Sequence, residues 1–357
     1  MKLNSLNIGN ISIKIPIIQG GMGIGVSKSS LASAVSNKGG LGIISAVQIG
    51  YEEENFEKDN DNANLTGLIK EIKKAKALTK NPIGINMLSA ANNYKEMVLA
   101  AVKEKVDVII SGAGLPLSLP GLVKGSNTKI IPIVSSGKAA STITKSWKRK
   151  YDYLPDALIV EGPLAGGHLG FSEETLKKAS LPSLEDLVTE VLDAIKPFQE
   201  KYNVKIPVIA AGGIFDGKDI AKFLKLGASG VQMGSRFVAT DECDAHINFK
   251  TAYVDSLKDK IKVIKSPLGM PGRAIKNSFI EKIEQEKEKI TKCYRCLKGC
   301  NPKTAPYCIS KALINSVKGD IDNGLLFAGS NTYRIDKIVS VSNLIDSLLE
   351  ETLENLQ

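Results

Sequence analysis

The sequence predicts a (β/α)8 barrel, the TIM-barrel class of α/β fold, and three observations support this prediction. Eight short runs rich in Ile and Val recur along the first 240 residues, as expected for strands covered on both faces. Amphipathic segments separate these runs, which favours βα units and a parallel sheet. The chain has 357 residues. A typical barrel needs ~250, so roughly 100 residues are left for an extension.

The predicted elements alternate between strand and helix. The strands are Ile15–Ile18, Leu41–Ser45, Ile83–Asn86, Val108–Ile110, Ile130–Val134, Ala157–Val160, Val208–Ala210 and Gly230–Met233. The helices are Ser29–Asn37, Leu65–Leu78, Asn93–Glu104, Ala139–Lys148, Leu184–Phe198 and Gly217–Leu226. An open doubly wound sheet is the competing fold, but Gly21-Met22-Gly23-Ile24-Gly25 has the wrong spacing for a dinucleotide-binding motif. The count of eight strands favours the closed barrel. The acidic, Asn-rich stretch Gly50–Asn64 is predicted to be a mobile surface loop.

From about Asp241 the alternating pattern stops. We expect residues 1–240 to form the barrel and residues 241–357 to form a mostly helical, cysteine-containing extension packed on it. Its end, Val339–Leu349, is predicted to be an amphipathic helix.

Four of the five cysteines lie within this extension, at Cys293, Cys296, Cys300 and Cys308. Four thiolates can bind zinc or an iron–sulfur cluster. The spacing fits neither a zinc ribbon nor a ferredoxin motif closely. Metal binding and a small cap of buried thiols therefore both stay open. Cys243 is interpreted as structural.

The net charge of +9 is carried mostly by lysines. Acidic residues are interspersed with them, so we interpret the charge as solvated helix faces and expect no nucleic-acid partner. No apolar run approaches the ~18 residues of a membrane span, and the first 20 residues lack the apolar core of a signal peptide. We therefore expect a cytoplasmic protein without a membrane partner. The oligomeric state stays open, with a homodimer as one possibility.

Two glycine-rich strand ends predict an anion site. The last two strands run into Ala211-Gly212-Gly213 and Met233-Gly234-Ser235. Glycine lets backbone N–H groups approach an anion closely because no Cβ intervenes. A phosphate site after strands seven and eight recurs among barrels. The alternative is a pair of tight turns, but the two motifs together favour a phosphate site.

A flexible, glycine-rich loop after the sixth strand contains His168. Histidine is suited to proton transfer near neutral pH, and barrel sites are built at the C-terminal ends of strands. We therefore predict that His168 is catalytic and that the other histidine, His246, is structural. Two further strand ends stay open. The glycines of Gln19–Met22 would let a planar ring lie against the backbone, and Asn86 could hydrogen-bond the polar edge of a cofactor, but either strand end could be a plain turn.

Together these motifs resemble a known family. The series Gln19-Gly20-Gly21-Met22, Gly39-Gly40-Leu41-Gly42, Gly84-Ile85-Asn86, Glu161-Gly162, Ala165-Gly166-Gly167-His168, Ala211-Gly212-Gly213-Ile214 and Gln232-Met233-Gly234-Ser235-Arg236-Phe237 resembles the nitronate monooxygenases, formerly 2-nitropropane dioxygenases. The flavin-dependent enoyl-acyl carrier protein reductases share the set. The resemblance covers roughly residues 10 to 280 in order.

The resemblance implies an FMN-binding barrel that acts on a small-molecule substrate. It implies FMN contacts from Gln19, Gly20, Gly21, Met22, Asn86, Glu161, Gly166, Gly212, Gly213, Gln232, Met233, Gly234 and Ser235. His168 matches the active-site histidine, which lies beside the flavin and acts as a base toward neutral nitroalkanes. In that family the nitronate reduces the flavin, which then reacts with oxygen.

The position of Glu161 leaves the activity open. Nitronate monooxygenases often have glutamine there, and glutamate occurs among the enoyl reductases. The resemblance therefore implies either oxidation of alkyl nitronates with O2 or reduction of an enoyl thioester with NAD(P)H. A third reading is a redox-sensing flavin module that uses the cysteines.

Overall fold

The structure is a computed structural model that describes residues 3–177, 181–267 and 269–357. A short antiparallel hairpin of β1 (Leu6–Ile8) and β2 (Ile11–Ile13) precedes the main sheet. The main sheet has eight parallel strands: β3 (Ile17–Gln19), β4 (Gly42–Ser45), β5 (Ile83–Leu88), β6 (Val108–Gly112), β7 (Lys129–Val134), β8 (Leu158–Glu161), β10 (Val208–Ala211) and β11 (Gly230–Met233). All eight correspond to predicted strands.

The strands follow chain order around the sheet, which closes on itself. β11 pairs with β3, and a parallel bridge between Ile18 and Leu41 joins β3 to the segment that leads into β4. One cluster of fully buried Ile, Val and Leu side chains fills the interior, with Ile18, Ile43 and Ile110 among them. Leu6 and Ile8 of the hairpin belong to the same cluster, so the hairpin packs against the barrel interior. The predicted (β/α)8 barrel is confirmed.

The helices that cover the barrel are α1 (Ser29–Asn37), α2 (Asn60–Leu78), α3 (Tyr94–Lys103), α4 (Leu119–Val123), α5 (Gly137–Tyr151), α6 (Glu173–Lys177), α7 (Leu184–Tyr202), α8 (Gly217–Leu226) and α9 (Ser235–Val238). All six predicted helices are present. α8 has its predicted bounds because Asp216 caps its first turn by accepting from Asp219 N, and Gly227 ends it with φ +111°.

The stretch Gly50–Asn64 is not the mobile surface loop that its composition suggested. Tyr51 and Phe56 are buried in the main core. Asp59 accepts from Asn62 N and starts α2 at Asn60, five residues before the predicted start at Leu65. Asn64 is buried, and its Oδ1 accepts from Gly50 N at 2.9 Å. The polar residues of this stretch therefore serve as a helix cap and an internal hydrogen bond.

The extension contains α10 (Ile247–Val254), α11 (Ser278–Gln285), α12 (Ile309–Val317) and α13 (Val341–Leu356), together with short 3-10 helices at Lys258–Lys260 and Thr332–Arg334. It also contains β12 (Ile261–Lys265) and β13 (Pro271–Ile275), which the helical prediction did not include. These strands form an antiparallel sheet with β9 (Gly167–His168). No helix of the described residues has the length and apolarity needed to cross a bilayer.

The last helix, α13, packs closely on α8. A Cβ at Gly217 would lie only 2.3 Å from Glu351 Cβ, so the contact depends on glycine at the start of α8. Glu351 Oε2 also accepts from Gly217 N at 2.9 Å. Leu344 and Leu348 are buried in the main core. The predicted amphipathic helix is thus present and extends seven residues beyond its predicted end, Leu349, to Leu356.

Candidate active site

A cavity of about 880 Å³ lies at the C-terminal ends of the barrel strands. This is within the range of ligand and cofactor sites. The candidate residues that line it are Gly20, Gly21, Met22, Asn86, Glu161, Gly166, His168, Gly212, Gly213, Gln232, Met233, Gly234 and Ser235. Strand ends that are far apart in the sequence are therefore brought to one site.

Gln19 is the candidate residue that the structure does not bring to the cavity wall. Its side chain is fully buried. Its Oε1 accepts from Ile43 N at 3.0 Å, and its Nε2 donates to the Gly20 carbonyl. The amide therefore ties the end of β3 to β4 and supports the shape of the strand end that follows.

The first strand end depends on glycine for close packing. A Cβ at Gly21 would lie 2.3 Å from Asn86 Cβ, whereas a Cβ at Gly20 would make an ordinary contact, 3.4 Å from Gln232 Cδ. Gln232 Oε1 is buried and accepts no hydrogen bond from any described residue. A buried amide oxygen without a donor is costly, and a ligand N–H group at the cavity wall would satisfy it. The polar edge of a flavin ring carries such a donor.

The ends of β10 and β11 form a concave backbone surface. Gly212 and Gly213 have φ +95° and +89°, a region that L side chains rarely adopt. The N-terminus of α8 follows at Gly217, and its dipole favours an anion on this side. At Gly234 a Cβ would meet only the Met22 side chain, at 3.6 Å or more, so open space lies over that residue. These features fit a phosphate group.

The extension supplies a wall of this site that the sequence patterns did not reveal. Gly329 N donates to Ser235 Oγ at 3.0 Å, and Asn331 Nδ2 donates to the Gly213 carbonyl at 2.6 Å. Ser330 N donates to the Leu164 carbonyl at 3.1 Å. The small residues of Ala328-Gly329-Ser330 were the one available signal, because they permit close approach of backbones.

His168 is held in place by the extension. Its segment, β9, pairs with β13, with Gly272 opposite His168. His168 Nε2 lies 2.7 Å from Ser266 Oγ, and the ring packs edge-on against Phe327 with centroids 5.2 Å apart. Burial lowers the pKa of His168 to about 4. The imidazole is therefore neutral near pH 7, and a strand pairing replaces the flexible loop that the glycines suggested.

Arg273 of β13 anchors the loop that leads to His168. The residue is buried, and its Nη1 donates to the carbonyls of Pro163 at 2.7 Å and Ala165 at 2.6 Å. Burial lowers the pKa of Arg273. A buried guanidinium that bonds backbone carbonyls fixes the path of the loop between β8 and β9.

Glu161 ends β8 and lines the cavity. Burial raises the pKa of Glu161 to about 7. The carboxyl group is therefore close to half protonated at neutral pH, and it can either donate or accept a hydrogen bond with a ligand.

Replacing Glu161 by Gln should remove a pH-dependent loss of stability. The raised pKa means that the folded state holds the proton more tightly than the unfolded state. The stability from protonated Glu161 is thus complete below about pH 4.5 and is lost as pH rises through about 7. The free energy of unfolding therefore decreases by at most about 3 kcal/mol over this pH range. Urea unfolding of the FMN-free protein from pH 5 to 8 should show this decline in wild type and a flatter profile in Glu161→Gln. The exposed Glu354→Gln is the matched control, and equal profiles for all three proteins would contradict the assignment.

The cysteine segment forms part of the cavity wall. Leu297 forms a bridge with Ala91, and Lys298 N donates to the Ala90 carbonyl at 2.8 Å. Cys296 and Leu297 both line the cavity, and burial raises the pKa of Cys296 to about 11. In the parts of the chain that the structure describes, no group of three or more His, Cys, Asp or Glu residues is arranged to hold a metal ion.

The two residues interpreted as structural, Cys243 and His246, do not line the cavity. Cys243 is buried, and its Sγ donates to the Val26 carbonyl at 3.4 Å. His246 is exposed, and its Nδ1 accepts from Asn248 N at 3.1 Å, which caps α10.

Comparisons with known proteins show which family and which solved structures the chain resembles. The model of the nitronate monooxygenase family matches residues 4–97 and 87–351. The solved structure of FabK from Thermotoga maritima has a TM-score of 0.75 and 31% identity, and the match covers 96% of this chain and 94% of that one. A probable nitronate monooxygenase from Staphylococcus saprophyticus is 30% identical over 81% of this chain and 83% of its own length.

A further relative carries a different name. The (3aS,4S,5R,7aS)-5-hydroxy-7a-methyl-1-oxo-octahydro-1H-indene-4-carboxyl-CoA dehydrogenase of Mycobacterium tuberculosis is 32% identical over 274 residues. The match covers 77% of this chain and 66% of that protein, so the chain spans just under two thirds of its length. Proteins named for different substrates thus share this sequence pattern.

Proposed function

We propose that this chain, which belongs to the nitronate monooxygenase family, is an FMN-dependent oxidoreductase that oxidises alkyl nitronates with O2. The observation that carries the proposal is the position of His168. Its neutral imidazole lies on the wall of the cavity that the glycine-rich strand ends Gly212-Gly213 and Gly234-Ser235 also line. A base beside an anion-binding barrel mouth suits a neutral nitroalkane, which must lose its α proton to become the nitronate that is oxidised.

The residues present fit FMN. Gly212, Gly213, Gly234 and Ser235 would hold the phosphate, and Gly20 to Met22, Asn86 and Gln232 would border the ring. The unbonded Gln232 Oε1 would accept a hydrogen bond from the ring. When bound, FMN would accept two electrons from the substrate and pass them to O2. The protein's part is to orient the two molecules and to move the proton.

The hydrogen bond with Ser266 determines which ring nitrogen of His168 can act as a base. If Nε2–H donates to Ser266 Oγ, Nδ1 keeps the lone pair that a base needs. A neutral nitroalkane would then lose the proton of its α carbon to Nδ1, and the C–H electron pair would stay on the substrate as the nitronate. A nitronate supplied directly needs no such step.

The pH profile of turnover with a neutral nitroalkane should follow the lowered pKa of His168. Protonated imidazole cannot accept a proton, so the fall in kcat/KM that His168 causes should be centred at about pH 4. The profile is measured in Glu161→Gln, because the pKa of Glu161 in the same cavity is about 7. An unperturbed histidine would place the fall near pH 6.5. A fall centred there would mean that the ring is not desolvated as the structure has it.

The second candidate function is reduction of an enoyl thioester, carried by an acyl carrier protein or CoA, with NAD(P)H. Two observations favour it. The cavity lining includes the apolar side chains of Leu88, Leu297 and Leu313, which would suit a hydrocarbon chain. A relative is named for a carboxyl-CoA compound, so a thioester belongs to the chemistry of at least one similar protein.

Steady-state assays separate the two candidates. We expect FMN-loaded protein to consume oxygen with alkyl nitronates in the absence of pyridine nucleotide. Oxidation of NADH or NADPH that depends on an added enoyl thioester, without oxygen uptake on nitronates, would overturn the proposal in favour of the reductase. Absence of both activities in fully loaded protein would favour a redox-sensing flavin module.

A further inference from the structure

A short segment of the extension, Ala328–Thr332, closes the phosphate end of the cavity. It bonds all three barrel loops that meet there: Gly329 to Ser235, Ser330 to Leu164 and Asn331 to Gly213. A Cβ at Gly166 would lie 2.6 Å from Ala328 C and Gly329 N, so the segment also packs directly on the loop after β8. The segment is therefore part of the site and not a distant appendage.

Ser330 has a polar group in this segment that the protein itself leaves unused. The backbone N–H of Ser330 is bonded to the Leu164 carbonyl, but its Oγ is buried without a hydrogen-bond partner among the described residues. Ser330 lines the cavity together with Gly213 and Ser235. A buried hydroxyl without a partner costs free energy, which a ligand oxygen at the cavity wall would recover.

The charge around Ser330 favours an anion. Arg236 also lines the cavity, and its Nε is buried without a partner in the described part of the chain. The guanidinium groups of Arg236 and Arg334 lie 4.5 and 4.2 Å from the ring centroid of Phe215. Arg334 forms an ion pair with Asp216 at 2.7 Å. The carboxylates of Glu351, Asp336 and Asp216 also act on Arg236 at longer range, and its guanidinium is a positive charge at the cavity wall.

We propose that Ser330 of the C-terminal extension is a ligand of the cofactor phosphate, its Oγ donating a hydrogen bond to a phosphate oxygen. The inference rests on the proposed FMN-dependent function and adds a residue from outside the barrel to its cofactor site. Because the same segment is bonded to the barrel loops, FMN binding and docking of the segment stabilise each other. Riboflavin, which lacks the phosphate, does not make this contact.

The test compares two flavins on four proteins. The FMN-free wild type, Ser330→Ala, Ser330→Thr and the exposed control Ser342→Ala are titrated with FMN and with riboflavin, and flavin fluorescence reports each Kd. A hydrogen bond to a charged group contributes enough that Ser330→Ala should weaken FMN binding about 10- to 100-fold. Riboflavin affinity should change less than about twofold, because the lost donor faces only the phosphate. Ser330→Thr keeps the hydroxyl and should restore most of the FMN affinity, and Ser342→Ala should alter neither Kd.

The outcomes separate this inference from the proposed function. Unchanged FMN affinity in Ser330→Ala, or an equal loss for FMN and riboflavin, would overturn the phosphate contact while leaving FMN dependence intact. A wild-type protein that binds neither flavin would instead refute the proposed function. Hydrogen exchange of residues 328–332 gives a second readout, since FMN should slow their exchange and riboflavin should not. Equal protection by both flavins would contradict the coupling.

Discussion

Gly234→Ala should weaken FMN binding by roughly 10- to 100-fold, or about 1.4 to 2.7 kcal/mol, without unfolding the protein. Gly234 has φ −111°, outside the left-handed region that disfavours L side chains. The added Cβ would meet only the Met22 side chain, with Sδ at the ordinary contact distance of 3.6 Å. The protein therefore has room for the methyl group, but the phosphate would lose its close approach to the backbone at the end of β11.

Two measurements check this prediction together. Urea unfolding of the FMN-free variant should give a free energy close to that of the wild type, and flavin fluorescence should give the weakened Kd. Gly212→Ala is a useful contrast, because φ +95° strains any L side chain and a Cβ there would lie 3.0 Å from the Gly162 carbonyl oxygen. That variant should lose stability as well as affinity. Wild-type affinity in Gly234→Ala would mean that the phosphate does not lie at this strand end.

His168→Ala should produce the largest change in turnover, and only for one class of substrate. With neutral nitroalkanes we expect a loss of about 10²- to 10⁴-fold, the usual contribution of a positioned base. With preformed nitronates the proton is already gone, so the loss should stay within about tenfold. His246→Ala is the matched control, because that exposed histidine caps α10 and lies outside the cavity lining.

The comparison of substrates makes the prediction specific to proton transfer. Equal losses with nitroalkanes and nitronates would show that the ring positions substrate and does not act as a base. Loss of FMN from His168→Ala would make the residue a cofactor contact. Ser266→Ala should have an intermediate effect on nitroalkane turnover, because it removes the group that lies 2.7 Å from Nε2 and orients the ring.

The barrel was predictable because its signals are local. Strands buried on both faces consist of Ile and Val runs that need no knowledge of their neighbours. α8 was predicted to the residue, since Asp216 caps one end and Gly227 ends the other. The position of the strand-end glycines was predictable from the barrel topology. Parallel strands of a barrel all end on one face, so the order of the strands along the chain determines which ends are neighbours.

Other features of the site depend on contacts between distant residues and left no local pattern. Asn331 bonds Gly213 across 118 residues of chain, and His168 bonds Ser266 across 98. β12 and β13 have five residues each, too few for a period of two to stand out in a charged segment. Gln19 was assigned to the cofactor with its glycine neighbours, but alternate residues of a strand face opposite sides, and its amide faces the protein interior.

The cysteine segment, residues 293–308, is clustered in the sequence, but the clustering alone does not define its role. Its clustering along the chain left metal binding open. In the structure the segment lies against the residues that follow β5, through the bridge between Leu297 and Ala91 and the bond from Asn92 N to the Cys296 carbonyl. These contacts bring Cys296 to the cavity wall. Its contacts position a wall of the cavity above the end of β5.

Anaerobic reduction of the bound flavin tests the central claim most directly. FMN-loaded protein is mixed separately with an alkyl nitronate, NADH and NADPH, and the visible flavin absorbance is followed in a stopped-flow instrument. We predict rapid bleaching by the nitronate without any pyridine nucleotide, followed by recovery of the absorbance when O2 is admitted. Bleaching by NADH or NADPH with no response to the nitronate would contradict the proposal.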